Sequence, residues 1–117
     1  MINAAHTIIY SKNADAVREF LRDVLELHHV DAGHGWLIFA LPPGEVAVHP
    51  ADGAAKHQLY LMCDDIVATR KDLESKGVKF LRPNHEERWG IVTSFQIPNT
   101  EDELFIYQPK HPVAYSQ

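Results

Sequence analysis

The 117-residue sequence has little of what marks disulfide-stabilised, membrane-spanning or nucleic-acid-binding proteins. Its one cysteine, Cys63, excludes an intrachain disulfide and a cysteine-rich zinc site, and the adjacent Asp64 and Asp65 disfavour the thiolate that a cysteine nucleophile needs. There is no run of about 18 apolar residues and no apolar signal-peptide segment, so we expect a cytoplasmic protein that does not span a membrane. A formal net charge of −5 argues against nucleic-acid binding, because contacts to phosphates need a basic face.

Histidine, in contrast, is abundant, with eight residues in the chain. Histidine changes charge between about pH 5 and 8 and is a common metal ligand. Apolar residues make up 45% of the sequence and charged residues 23%, as in ordinary globular proteins. The length predicts a single domain over 1–117, built as one unit or as two small halves with a common core. No serine triad, phosphate-binding glycine loop or dinucleotide fingerprint occurs, so no catalytic residue is assigned.

The order of the residues indicates one unit that is present twice. His6 opens the strand-like stretch HTIIY, and His57 opens HQLYL. Each stretch is followed by an acidic segment with helical spacing of its apolar residues. The correspondence continues along the two halves, with Trp36 matching Trp89 and Glu45 matching Glu103. We therefore predict a first module over about 1–50 and a second over about 56–110.

Both modules are predicted to follow the order β-α-β-β-β. The first contains HTIIYSKN, ADAVREFLRDVLEL, HHVDAGHG, WLIFAL and EVAVHP, with Asn13 as the N-cap of the helix. The second contains HQLYLMC, DDIVATRKDLESKG, VKFL, IVTSFQIP and ELFIYQP, with Gly77 ending the helix and RPNHEERWG as a long polar loop. A half of about 55 residues buries too little surface to be stable alone, so we expect one shared core and sheet with helices on the outer face.

Strand alternation predicts which side chains of the last strand share a face. In ELFIYQ, Leu104 and Ile106 point one way, and their apolar character places them against the helices. Glu103, Phe105 and Tyr107 then point to the opposite face. The same alternation in EVAVH groups Glu45, Ala47 and His49.

This arrangement resembles the vicinal oxygen chelate superfamily, which includes glyoxalase I, bleomycin-resistance proteins and extradiol dioxygenases. The stretches that carry the resemblance are HTIIYSKNADAVREFLRDVLEL, HQLYLMCDDIVATRKDLESKGVKF, WGIVTSF and ELFIYQP, which together cover most of the chain. The resemblance implies an α+β fold in which two βαβββ modules form a curved mixed sheet with helices on the outer face. It also implies a cup between the modules and a homodimer.

In that family a divalent metal, when present, is held by a first-strand histidine or glutamine and a last-strand glutamate. The resemblance therefore implies His6, His57 and Glu103 as candidate ligands for Zn, Ni, Fe or Mn, with Glu45 as an alternative carboxylate. The position of the family's glutamate is occupied by Phe105 here. Glu103 precedes it by two residues on the same face of the strand, a distance of roughly 6.6–6.8 Å. From the residues alone, the favoured alternatives are backbone-bonded strand-end positions for both histidines and a solvated turn for Glu103.

Two functions follow from the resemblance. The first is binding of a small molecule in the cup without a metal, as in the bleomycin-resistance branch. The second is a metal-dependent lyase, isomerase or dioxygenase that acts on a small oxygen-rich substrate. Aromatic side chains suit a flat guest, although they would serve equally to fill the space between the modules. The predicted ligand-binding residues are Trp36, Phe39, His49, Trp89, Phe105 and Tyr107.

Overall fold

The computed structural model describes residues 6–45, 47, 50, 52–54 and 57–113. It confirms the α+β class. Helix α1 spans Ala14–Glu19 and continues as a π-helical turn, Phe20–Val24, and α2 spans Ile66–Ser75. The strands are β1 His29–Asp31, β2 Leu37–Phe39, β3 Tyr60–Met62, β4 Lys79–Phe80, β5 His85–Glu86, β6 Gly90–Gln96 and β7 Glu103–Pro109. Within the described part of the chain, neither helix has the length and apolar character to cross a bilayer.

Five strands form a mixed sheet in the order β3-β7-β6-β4, with β5 also paired to β6. Strands β6 and β7 form a long antiparallel hairpin, whereas β3 runs parallel to β7. Because β4 is antiparallel to β6, it runs in the same direction as β3, and α2 crosses between these two strands. All five strands lie in the predicted second module. The observed β7 coincides with the predicted ELFIYQP strand.

One face of the sheet carries the hydrophobic core. Leu104 and Ile106 are buried there, as the alternation predicted. Phe95 is fully buried between Phe20, at a ring-centroid distance of 5.6 Å, and Phe80, at 5.4 Å. Because Phe20 follows α1, both halves of the chain contribute to one core, as predicted.

The helices begin and end where their capping residues stand. The Asn13 side chain accepts a hydrogen bond from the backbone N–H of Ala16 at 3.3 Å, which confirms the predicted N-cap. Asp65 caps α2 in the same way, through the N–H of Ala68 at 3.0 Å. Gly77, with φ of 89°, follows the end of α2 in the left-handed conformation that glycine adopts without strain.

Polar contacts attach the start of α1 to the turn between β6 and β7. The Asn13 side-chain amide donates to the backbone carbonyl of Asn99 at 2.9 Å, and the Ser11 hydroxyl donates to the carboxylate of Asp102. Asn99 itself has φ of 64°, which shapes this turn. The first-half helix is thereby held at the end of the β6–β7 hairpin.

The first half differs from the prediction in its strands. The predicted strand at 6–10 is wrong, since these residues belong to no sheet in the described structure. Ile8 and Tyr10 are exposed, and none of the seven strands seen among the described residues pairs with them to complete the backbone hydrogen bonds that a strand requires. Strands β1 and β2 form a separate antiparallel hairpin, in which Val30 pairs with Ile38. Half of the predicted strand EVAVHP, namely Val46, Val48 and His49, lies outside the described residues.

Candidate functional site

The sheet face opposite the core carries four aromatic side chains that contact one another. We call Tyr60, Trp89, Phe105 and Tyr107 the ring cluster. The Tyr60 ring centroid lies 5.3 Å from that of Phe105, 5.8 Å from that of Tyr107 and 6.2 Å from that of Trp89. Trp89 and Tyr107 are 5.2 Å apart. These are the tilted and edge-to-face geometries that aromatic rings prefer.

The ring cluster follows from strand register. Across the parallel β3–β7 pair, Tyr60 lies opposite Phe105, so both side chains project from the same face. Two residues further along β7, Tyr107 lies on that face as well, as the alternation predicted. Trp89 joins them because it directly precedes β6, the strand that pairs with β7 on its other side.

Gly90 allows the start of β6 to approach β7 closely. A Cβ atom at this position would lie 2.5 Å from the carbonyl oxygen of Gln108 and 2.9 Å from Cδ2 of Tyr107. Both distances are shorter than real Cβ contacts, and the carbonyl belongs to the backbone, which moves only at a cost. The absence of a side chain at Gly90 is therefore what lets the Tyr107 ring pack beside Trp89.

A polar group borders the ring cluster at Phe105. The Nε–H of Arg82 donates to Oε2 of Glu103 at 2.8 Å and to Oγ of Ser94 at 3.0 Å. The Ser94 hydroxyl, which is fully buried, donates to the same carboxylate oxygen. The Cζ atom of Arg82 lies 5.3 Å from the Phe105 ring centroid, within cation–π distance.

The two charges of this group stabilise each other. The hydrogen bonds from Arg82 and Ser94 lower the pKa of the Glu103 carboxyl below its ordinary value, because they favour its ionised form. The hydrogen bond and the charge of Glu103 raise the pKa of Arg82 in turn. Near neutral pH the pair is therefore fully ionised, and it presents a fixed guanidinium beside an aromatic surface.

The opposite end of the ring cluster meets the segment after β7. The Tyr107 hydroxyl lies 3.1 Å from Nε2 of His111, and Nδ1 of His111 lies 2.8 Å from the carbonyl oxygen of Pro112. A carbonyl only accepts, so Nδ1 carries the hydrogen that points to Pro112. Nε2 accepts from the Tyr107 hydroxyl when the imidazole is neutral and donates to it when the ring is charged. The Glu45 carboxylate lies 3.7 Å from the same Nε2. These contacts fix the orientation of the Tyr107 phenol.

The structure brings together only part of the predicted ligand-binding set. Trp89, Phe105 and Tyr107 meet in the ring cluster. Trp36 instead lies beside the β1–β2 hairpin, where the guanidinium of Arg18 stacks 4.6 Å from its ring. Phe39 lies in the same hairpin and contacts His29 at 5.4 Å. No ring contact in the described part of the chain links these two side chains to the cluster, and His49 lies outside the described residues.

The candidate metal ligands do not form a cluster within the described residues of one chain. His6 and His57 are both exposed, and the carboxylate of Glu103 is bonded to Arg82 and Ser94. No three histidine, cysteine, aspartate or glutamate side chains among the described residues are grouped in a way that would hold a metal ion. The donor set seen here therefore does not fit a divalent cation, and the predicted ligation by His6, His57 and Glu103 stays a prediction.

The thiol of Cys63 has a pKa above its ordinary value, the direction that the neighbouring aspartates predicted. Its pKa is raised first by burial and then by the charges of Asp64 and Asp65, and these effects exceed the opposing hydrogen bond to Thr69. The thiol also lies 3.7 Å from the carbonyl oxygen of Tyr107. A raised pKa keeps the thiol protonated near neutral pH, which disfavours a role as a nucleophile.

Sequence reasoning missed Tyr60, Arg82 and His111. Tyr60 lies in a predicted strand, yet its face depends on the parallel pairing with β7, which no local pattern shows. Arg82 lies in the predicted polar loop. The one signal in the sequence that pointed to Arg82 was Glu103, because a carboxylate on the predicted site face is expected to pair with a positively charged side chain. His111 was visible only as one histidine in an irregular tail.

Comparison with known proteins places this geometry in a family. The model of the Glyoxalase/Bleomycin resistance protein/Dioxygenase superfamily matches residues 3–107. No curated protein sequence matches the chain.

Solved structures share the fold over nearly the full chain. A Glyoxalase/bleomycin resistance protein/dioxygenase superfamily member from Sphaerobacter thermophilus is 26% identical, with a TM-score of 0.58, over 92% of this chain and 98% of its own. TnmS3, an antibiotic binding protein from Streptomyces sp. CB03234, is 15% identical, with a TM-score of 0.57, over 94% and 100%. A protein of unknown function from Agrobacterium tumefaciens is 18% identical, with a TM-score of 0.55, over 92% and 94%.

Proposed function

The chain belongs to the glyoxalase/bleomycin resistance protein/dioxygenase superfamily, and we propose that it binds a flat aromatic small molecule on its ring cluster without a metal. The observation that carries this proposal is the grouping of four aromatic rings, whose contacting pairs have centroids 5.2–6.2 Å apart, on the sheet face opposite the core. Aromatic side chains provide large apolar contact area and defined stacking geometry, and sites for small molecules are lined mainly by such residues.

Partial exposure of the ring cluster supports a binding role over simple packing. Trp89 is 39% exposed and Phe105 is half-buried, whereas Tyr107 beneath them is buried. Rings that only filled the protein interior would all be enclosed, as Phe95 is on the other face. Binding of an apolar ligand to such an exposed aromatic surface is favourable, because it removes apolar surface from water.

A structural relative also supports a binding function. TnmS3, which shares the fold, is an antibiotic binding protein by its name. A binding function also requires no catalytic group, and the described residues around the ring cluster hold no metal-ligating group of three. The resemblance to the family implies that Phe105 stands where its metal-binding members have a glutamate, and the Phe105 ring adds aromatic surface beside Tyr60.

The two tryptophans of the chain allow a sharp test. Trp36 and Trp89 are both partly exposed, but only Trp89 belongs to the ring cluster. Protein treated with a chelator and desalted is titrated with flat aromatic compounds, and its melting temperature and tryptophan fluorescence are followed. We expect binding to raise the melting temperature and to quench fluorescence in Trp36→Phe, which retains Trp89.

The matched variant Trp89→Phe retains only Trp36 and should show weaker binding without tryptophan quenching. A melting temperature that rises only after metal is added back, or quenching that follows Trp36, would contradict the proposal.

We further propose that the protein is a homodimer in which a second copy covers the first half. Val30 and Ile38 face each other across the β1–β2 hairpin, and both are exposed. Ile8 and Tyr10 are exposed in the segment that precedes α1. The radius of gyration is 15.1 Å, whereas a compact domain of this length has about 13 Å. A chain less compact than expected, with exposed apolar side chains in its first half, favours burial of those side chains against a partner. The cytoplasmic location stays a prediction.

A further inference from the structure

We propose that Arg82 selects aromatic ligands that carry a carboxylate, so that the ligand of the ring cluster is an aromatic or heteroaromatic acid. This inference rests on the proposed function, since it concerns a substituent of the molecule that stacks on the rings. Its basis is the position of the guanidinium at the edge of the ring cluster, 5.3 Å from the centre of Phe105.

The guanidinium has donors available. Its Nε–H is used by Glu103 and Ser94. Its two terminal nitrogens, with four N–H groups, have no partner in the described part of the chain, and the side chain is 56% exposed. The end of the planar fork is therefore open to a carboxylate, which accepts two parallel hydrogen bonds from such a fork.

Arg82 is also held in place before any ligand arrives. Glu103 and Ser94 fix the side chain, while the backbone carbonyl of Arg82 accepts from the Thr93 hydroxyl at 2.9 Å and from Nη1 of Arg70 at 2.8 Å. A long side chain that is already ordered loses little rotamer entropy on binding. Glu103 thus acts as a positioning residue for Arg82.

The charges of the site favour an anion at this point. The carboxylate of Glu103 is already neutralised by Arg82 and Ser94, and its side chain is less exposed, at 30%, than that of Arg82. A cationic ligand would have to compete with Arg82 for Glu103. An anionic ligand would add to the existing pair without displacing it. The net charge of −5 is spread over the chain and is screened beyond about 8–10 Å in physiological salt.

Three naphthalene probes that differ only in their substituent test the inference: naphthoate, naphthamide and naphthylmethylammonium. Dissociation constants are measured by calorimetry on metal-stripped full-length protein at neutral pH. We expect naphthoate to bind about tenfold more tightly than naphthamide, as one charge-assisted contact would give. Naphthylmethylammonium should bind most weakly.

Matched variants assign the preference. Arg82→Gln should bind naphthoate and naphthamide equally, and Arg82→Lys, which keeps the charge without the planar fork, should keep only part of the preference. Arg22→Gln is the control. Arg22 is an exposed arginine paired with Asp23 beside α1, so this variant makes the same change in net charge and should keep the full preference.

Equal affinity of wild-type protein for naphthoate and naphthamide would overturn the role of Arg82 and leave the proposed function standing. The same holds if Arg82→Gln and Arg82→Lys both keep the full preference. If none of the three probes binds to the wild-type protein, the proposed function fails, and the selectivity inferred from it fails as well.

Discussion

Tyr60 and Phe105 lie directly opposite each other across the parallel β3–β7 pair, with their ring centroids 5.3 Å apart. The two residues are far apart in sequence, and strand pairing alone brings them onto one face. Their contact joins the central strand of the sheet to its edge strand at the proposed binding surface. Each ring therefore depends on the other for its position.

Replacing Tyr60 should weaken binding while the fold is retained. Tyr60→Leu removes the ring that contacts the other three members of the ring cluster. We expect affinity for an aromatic probe to fall by about tenfold, the loss for one or two stacking contacts. Val67→Ala is the control, because Val67 is exposed on α2, the helix that packs on the core face of the sheet through Ile66 and Leu73. Equal losses in the two variants would remove Tyr60 from the site.

Adding a methyl group at Gly90 should destabilise the protein. The new Cβ would meet the Gln108 carbonyl and the Tyr107 ring, so β6 must shift away from β7. We expect Gly90→Ala to lower the free energy of unfolding by about 2 kcal/mol, a typical cost of overpacking. Gly44→Ala serves as the control, since a Cβ there meets nothing within 4 Å. Urea denaturation measures both, and equal stability of the two variants would show that the close approach is absent.

The Glu103 carboxylate should make part of the stability dependent on pH. Its pKa is lowered in the folded protein by Arg82 and Ser94, so its contribution is present above the unfolded value, about 4.3 for glutamate. That contribution is lost as the pH falls through the lower folded value. The difference in stability between wild type and Glu103→Gln should be constant from pH 7 to about 5 and shrink below about 4.3. Denaturant titrations across this range measure it.

Glu101 supplies the control for that titration. It is an exposed carboxylate in the same turn region, and the described residues offer it no ion pair. Glu101→Gln should therefore leave the pH dependence of stability close to that of wild type. A Glu103→Gln curve that runs parallel to wild type down to pH 3 would mean that Arg82 and Glu103 are not paired in solution.

Oligomeric state can be tested with two valines of similar exposure. Val30, on the β1–β2 hairpin, is 56% exposed, and Val67, on α2, is 68% exposed. If a second copy covers the first half, Val30→Asp should shift the protein from dimer to monomer in light scattering, because a buried carboxylate is strongly unfavourable. Val67→Asp should leave the dimer unchanged. A wild-type protein that is monomeric throughout would contradict the homodimer.

Much of the fold was readable from the sequence because it depends on local chemistry. The alternation of Leu104 and Ile106 with Phe105 and Tyr107 gave the two faces of β7, and Asn13 marked the start of α1. These features arise from side-chain periodicity and capping, which neighbouring residues determine.

The rest depended on contacts between distant segments. Arg82 and Glu103 meet only because β6 lies between β4 and β7, and no local pattern specifies that order. Trp36 and Trp89 occupy equivalent places in the predicted repeat, yet Trp89 lies beside the five-stranded sheet and Trp36 beside the two-stranded β1–β2 hairpin. Sequence symmetry predicted equal roles for the two tryptophans. Their surroundings differ because the described strands of the first half form only a two-stranded hairpin, whereas those of the second half form a five-stranded sheet.

The central claim is that the ring cluster binds an aromatic molecule without a metal, and the indole N–H resonances of the two tryptophans test it most directly. Metal-stripped, isotope-labelled protein is titrated with naphthoate in the presence of a chelator. The account predicts that the Trp89 resonance shifts in a saturable way, while that of Trp36 stays in place. A Trp89 resonance that does not move, or that moves only after a divalent metal is restored, would contradict it.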